Sequence, residues 1–393
     1  MVKFKDKLIY FQILLTFLIP ITPHLYIAEN LQLDDIPVLL FFLLFICNIY
    51  LKNIKIIYTS QLLPIFFFTG YIFVQNIFIN EIYLFTEGFR YLFYITLFVT
   101  LLNCGNLNKF DSLFKYLTIF VNTFSILFFI LQINFGTDLY DYWKIGFNEN
   151  QWVFTDGRMN GLQAGGPNAF GGLIASLNLY CIANSNSLYT KFFIITGILA
   201  CFFTYSRAAL IIMVFSLVVH LFISKKFYEI VFVTLALLIT LNFGLLERIS
   251  SEEETEGIQD RIEMQQAAIT DISERSIANT FFGYGHGNFG IVRDELKPTL
   301  DFKEGLRPTG PHNSFLFILL DYGLIGLLLF LIIFVKPFLK FVKHFKDNLL
   351  KSEYLFLGSF VALAITGDFI QNHSVSVLFF LVLFKLQASY LNE

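Results

Sequence analysis

Cysteine is scarce in this chain of 393 residues, and the four present, Cys47, Cys104, Cys181 and Cys201, fall singly in apolar stretches or at their ends, with no CxxC pair. That spacing excludes a disulfide framework and a cysteine zinc site, and leaves small core residues as their reading. Charge is thin as well. Asp, Glu, Lys and Arg make up 15% of the residues, well short of what a soluble domain uses. The net charge of −3 points to no partner class, nucleic acid included. No internal repeat is visible, which argues against transporters built from repeated halves.

What is abundant is apolar. Hydrophobic residues form 56% of the chain, Phe alone occurs 51 times, and the mean hydropathy is +0.66. Lipid is therefore the expected solvent. Crossing a hydrocarbon core of about 30 Å takes roughly 20 residues, and about twelve stretches qualify: 8–27, 36–51, 60–79, 83–103, 113–135, 168–184, 190–206, 207–222, 228–246, 313–335, 354–371 and 374–390. The expected fold is all-α: one polytopic transmembrane domain over 1–393 with about 12 transmembrane helices. The first stretch follows Lys3, Lys5 and Lys7 without a small-residue cleavage site, so it reads as an uncleaved helix with a cytoplasmic N-terminus.

Lysine sets the topology. Alternation from that start puts sixteen of the nineteen lysines, from Lys52 and Lys55 to Lys385, on the cytoplasmic side, and makes both termini cytoplasmic. All eight arginines fall on the outer side. Two outer loops are long, 136–167 and 247–312. The second opens with an acidic run and then shows helical periodicity in Ile258, Ile262, Met264, Ala268, Ile269 and Ile272, a pattern suited to lying on the membrane surface.

Arginines gathered on one side suggest an anionic ligand, because the guanidinium fork stays charged and gives paired hydrogen bonds to pyrophosphate. Arg207 sits where the seventh stretch turns into the eighth, and Arg90 lies in the outer half of the fourth. Plainer readings stand beside these. Glu87 could pair with Arg90 at i,i+3, Arg207 could snorkel, and Arg248, Arg275, Arg293 and Arg307 read as solvated loop charges.

The segment from Phe282 to Gly290 holds a formal GxGxxG at 285, 287 and 290, but no βαβ unit surrounds it, so it is not a dinucleotide fingerprint. Its glycines permit a tight turn bringing N–H groups near an anion or a helix end, or a purely structural turn. His312, in Pro311-His312-Asn313-Ser314, places an imidazole at the outer mouth of the tenth stretch, either as a general base or as a helix cap. Asp321 falls about 13 Å deeper and on the opposite side of an ideal helix, so it is not the partner of His312. Asp34 and Asp35 could supply a catalytic acid, although Asp35-Ile36-Pro37 also looks like a helix start. Asp368 and His373 stand near the last outer turn, where they would extend the cavity.

The ordered set Arg158-x-x-Gly161, Pro167-Asn168, Ser206-Arg207, Arg261, Gly283-x-Gly285 leading to Phe289, His312-Asn313-Ser314-Phe315-Leu316, and Asp321-Tyr322-Gly323-Leu324-Ile325-Gly326 resembles the O-antigen ligase and polymerase superfamily of bacterial envelopes. The resemblance covers 158–326 and departs at Asp321, where that family more often has Glu. It implies a metal-independent glycosyltransferase of the cytoplasmic (inner) membrane, without a cofactor, whose site faces the exterior. The donor would be a glycan on undecaprenyl pyrophosphate, the acceptor a sugar hydroxyl, and a flippase and a chain-length regulator would be its partners. Arg207 and Arg261, supported by Arg158 and Arg90, would hold the pyrophosphate. His312 would orient or deprotonate the acceptor, with Gly283, Gly285, Asn313 and Asn168 in support. A repeat-unit polymerase is preferred over a ligase acting on lipid A core; a flippase-like transporter is the reading from another class.

Overall fold

The apolar stretches become helices. The computed structural model describes residues 2–22, 26–28, 31–33, 35–56, 59–79, 82–135, 154–155, 158–159, 166–242, 252–285, 311–348 and 351–391. The first nine helices are α1 (Val2–Leu18), α2 (Asp35–Tyr50), α3 (Leu63–Ile79), α4 (Ile82–Leu102), α5 (Lys109–Phe135), α6 (Gly166–Ala183), α7 (Ser187–Phe203), α8 (Arg207–Ile223) and α9 (Phe227–Asn242). The loop helices α10 (Glu252–Glu274) and α11 (Ile277–Phe282) follow, and then α12 (Ser314–Lys343), α13 (Phe345–Asn348), α14 (Ser352–Thr366) and α15 (His373–Ser389). Two short antiparallel pairs decorate the helices: β1 (Tyr26–Ala28) with β2 (Leu31–Gln32), and β3 (Phe154–Thr155) with β4 (Arg158–Met159).

Each of the twelve apolar stretches contains a helix. Among the described residues, Lys109–Ile130 and Ser314–Lys343 are long and apolar enough to cross a membrane by themselves, and seven further apolar helices have 10–17 residues. Boundaries moved where local chemistry intervenes. The first helix stops at Leu18 rather than near 27, because Pro20 leads into a 3-10 turn at Ile19–Ile21 and Pro lacks the N–H that would extend the helix. Asp35 does open α2, as its sequence suggested. Asp34 lies outside the described residues.

Two helices occupy the centre. In α6 every residue from Ala169 to Ile182 is buried, and in α15 so is every residue from Ser374 to Ala388; an all-round apolar helix belongs inside a bundle. Helix α14 packs on α6, α8 and α15, helix α4 on α3 and α15, and α3 on α12. Cys181 and Cys201 are core residues, but Cys47 is exposed on α2, contrary to its core reading.

A buried lysine closes one end of the bundle. The Nζ of Lys385 bonds Asp111 Oδ1 at 2.6 Å, Glu353 Oε1 at 2.8 Å and Tyr180 Oη at 2.6 Å. A buried ammonium needs such partners. Together they tie the starts of α5 and α14 to the ends of α6 and α15.

Candidate active site

His312 stands directly before α12, with its backbone in the left-handed region at φ 50. Tyr205, at φ 54, likewise stands one residue before the cap that opens α8. Such conformations are costly for residues with a Cβ and collect at sites that need a fixed side chain. Asn313 caps α12, its Oδ1 accepting from Phe315 N at 3.0 Å and Leu316 N at 3.1 Å. Ser206 caps α8 by accepting from Ala209 N, which leaves Arg207 as the first helical residue.

The turn between α14 and α15 brings Asp368 to His312. Oδ2 of Asp368 lies 3.6 Å from His312 Nδ1, longer than a hydrogen bond. Burial, and then the Arg261 guanidinium, push the imidazole down to about 4, so it is neutral at physiological pH and the contact is not an ion pair. Burial dominates at Asp368 too and raises it to about 7, although the Asn313 N–H and Arg261 favour its charged form; Asp321 adds repulsion. Its Oδ1 is buried with no hydrogen-bond partner. The pair is thus a neutral imidazole, weakened as a base by its surroundings, beside a carboxyl that titrates near neutrality, the range in which a general base works best.

Arg261, from α10, completes the group. Its proton affinity is lowered first by burial and then by the Arg207 guanidinium, with Asp368 in opposition. Two like charges held close, partly dehydrated, form a receptor for an anion. Below Arg207 on the same face of α8, Ile211, Phe215, Val218 and Phe222 are exposed at spacings of four, four, three and four residues, so the cationic pair tops an apolar stripe.

The glycine-rich turn does different work. Helix α12 is broken at Gly323, where φ is 66, and the carbonyls freed around the break are met by outside donors. Tyr284 N bonds Leu320 O at 3.0 Å and Gly285 N bonds Asp321 O at 2.8 Å. From α3, Gln75 Nε2 reaches Asp321 O at 2.8 Å and Tyr71 Oη reaches Tyr322 O at 2.8 Å. Gly283, at φ 76, packs backbone against backbone on Gly323; a Cβ on either would overlap the other segment. Of the sequence alternatives, the turn's N–H groups meet a helix end. Gly287, Phe289 and Gly290 lie outside the described residues.

The loop helices settle against this break. Helix α10 begins earlier than its periodicity suggested and buries Met264 and Ala268 on Leu320 of α12. Ile262 and Ile269 remain exposed. Arg275 is not a solvated loop charge: its side chain is fully buried, lies over the Tyr284 ring at 5.8 Å, and approaches Leu319 O at 3.4 Å.

The remaining candidates separate. Arg90 is paired with Glu87 at 2.7 Å and donates to Gln371 O at 2.7 Å, so its two terminal nitrogens serve the fold. His373 faces Tyr94 Oη at 3.2 Å through Nδ1. Asp321 is fully buried beside the helix break. Asn168 is in the first turn of α6. Arg158 falls in β4, its side chain outside the described residues, as are Gly161, Arg248, Arg293 and Arg307. Sequence placed Asp368 near the last outer turn as a residue that could extend the cavity but gave it no role, since a lone Asp in Thr366-Gly367-Asp368-Phe369 has no motif around it.

No curated protein matches the chain. A family model described as O-Antigen ligase matches residues 192–331, a segment that holds Arg207, Arg261, the glycine turn, His312 and the broken helix. By that match residues 192–331 are similar to the O-antigen ligase family, which supports the O-antigen ligase/polymerase superfamily as the relatives of this segment.

Proposed function

We propose that the protein lengthens a bacterial surface polysaccharide at the outer face of the cytoplasmic membrane, moving a glycan from undecaprenyl pyrophosphate to a sugar hydroxyl of a second lipid-linked glycan. The twelve apolar helices then span the bilayer with both termini inside. The observation that carries the reading is the convergence of Arg261 with Arg207 beside the His312–Asp368 pair. The lipid-linked donor is supported by the apolar stripe beneath Arg207.

In this scheme, Asp368 ionises and closes the 3.6 Å gap to accept from Nδ1–H of His312, which raises the basicity of the ring and leaves Nε2 to take the acceptor's proton. The acceptor oxygen bonds to the anomeric carbon as the bond from that carbon to the pyrophosphate oxygen breaks, its electron pair leaving on the lipid pyrophosphate. Arg207 and Arg261 meet the developing negative charge in a dehydrated site, where fixed cations are most effective, and no metal is called for. Arg158 and Asn168 lie near enough in sequence to the α6 start to support donor binding. Arg90 acts instead on the outer turn.

Purified protein given a short undecaprenyl-pyrophosphate oligosaccharide tests this. Longer lipid-linked glycans are the expected product. Product formed only when lipid A core is added makes the protein a ligase. No glycosidic product in either case contradicts both.

A further inference from the structure

We infer that Ser314 is a positioning residue for the transfer, its hydroxyl closing the outer turn so that Asp368 is held against His312. This rests on the polymerase reading above. Ser314 is fully buried at the first position of α12. Its Oγ donates to Gly367 O at 2.9 Å and accepts from Ile370 N at 3.1 Å. Those two residues flank the segment carrying Asp368, so one atom joins both sides of the turn. The carbonyl of Ser314 accepts from Gln371 Nε2 at 3.1 Å, and Gln371 O accepts from Arg90.

The ordinary task of a serine at a helix start is to cap it, and here Asn313 does that. The Ser314 hydroxyl is therefore committed to the turn. Only a small side chain with donor and acceptor on one atom can serve both partners in a fully buried place. Alanine leaves the Gly367 carbonyl and the Ile370 N–H without their partner, which favours opening of the turn.

The groups facing Asp368 are His312 and the Asn313 N–H from the start of α12, Asp321 from deeper in α12, and Arg261 from α10. Across the turn stand the Arg90–Glu87 pair of α4 and His373 of α15. Opening the turn moves Asp368 toward water and returns it toward the ordinary carboxylate range.

The test compares Ser314→Ala and Ser314→Thr with wild type in the elongation assay, measuring kcat, KM for the donor and the pH dependence of kcat. Alanine should lower kcat about 100-fold, the scale of a small misplacement of a catalytic group, with KM nearly unchanged and the acidic limb shifted to lower pH. Threonine, which keeps the hydroxyl, should restore most of kcat and the wild-type limb. Ser359→Ala, which removes the buried Ser359–Ser176 bond of 3.0 Å elsewhere in the bundle, is the control and should leave the limb in place. Limb position reads only folded enzyme, so poor yield does not obscure it; if alanine gives none, Ser314→Cys, a weaker donor, should give the same shift in smaller degree. An unmoved limb and wild-type kcat per folded molecule in the alanine variant overturn the inference while the polymerase reading stands. A wild-type protein that makes no product overturns both.

Discussion

Single side chains decide the chemistry here, and their environments predict distinct outcomes. Lysine at Arg207 keeps the charge but loses the paired hydrogen bonds, so kcat/KM should fall at least about tenfold; near-wild-type kinetics would return Arg207 to a snorkelling role. At Asp368 activity and stability should part. A carboxyl raised to about 7 is bound more tightly by its proton in the folded state than in the unfolded one. Its contribution to stability is therefore full below the unfolded value of 3.8 and is lost as pH rises through about 7. Asp368→Asn should abolish most transfer and remove the acidic limb near pH 7, yet melt no lower than wild type at pH 8. Sequence drew attention to Arg207, Arg261 and His312 because arginine is rare, falls by the lysine alternation on the expected outer side, and stands with His312 in an order like that of a known family. Asp368 was not, because a short turn 56 positions past His312 carries no local pattern and only folding brings them together.

Among the elements, α12 governs the site. Its first half, from Ser314 to Tyr322, is held at one end by the outer turn and at the other by the glycine turn. Alanine at Gly283 or Gly323 meets both a left-handed backbone and an overlap, so each should cost about 3 kcal/mol or more. Thermal melts would show it as a drop of several degrees, and an unchanged melting temperature would contradict the packed turn. In sequence this break is hidden: Asp321-Tyr322-Gly323 sits within a continuous apolar run, and one Gly in a helix is usually tolerated. The glycines at 283 and 285 were visible as a turn, but their partners were not, since the carbonyls they meet belong to a helix that looks unbroken.

Over the whole molecule, hydropathy reported the twelve apolar helices because burial in lipid and in the core both demand apolar residues, and periodicity reported α10 but not the short α11. It could not tell which helices are central. Nor could it tell that Lys385, counted among the lysines of one side, is a buried clamp. Lys385→Met should leave Asp111 and Glu353 without their shared cation and cost about 3 kcal/mol, with transfer per folded molecule unchanged because the cluster lies at the opposite end from His312. Loss of activity beyond the loss of folded protein would tie the inner end to the reaction.

The central claim is that the outer constellation cleaves the bond between glycan and lipid pyrophosphate. Its most direct test is the amount of undecaprenyl pyrophosphate released from a lipid-linked oligosaccharide by wild type and by His312→Ala, both inserted in liposomes and matched for folded protein. The account predicts release coupled one-for-one to glycan extension in wild type, and a loss of at least about 1000-fold in the variant. Equal release from the two proteins would contradict it.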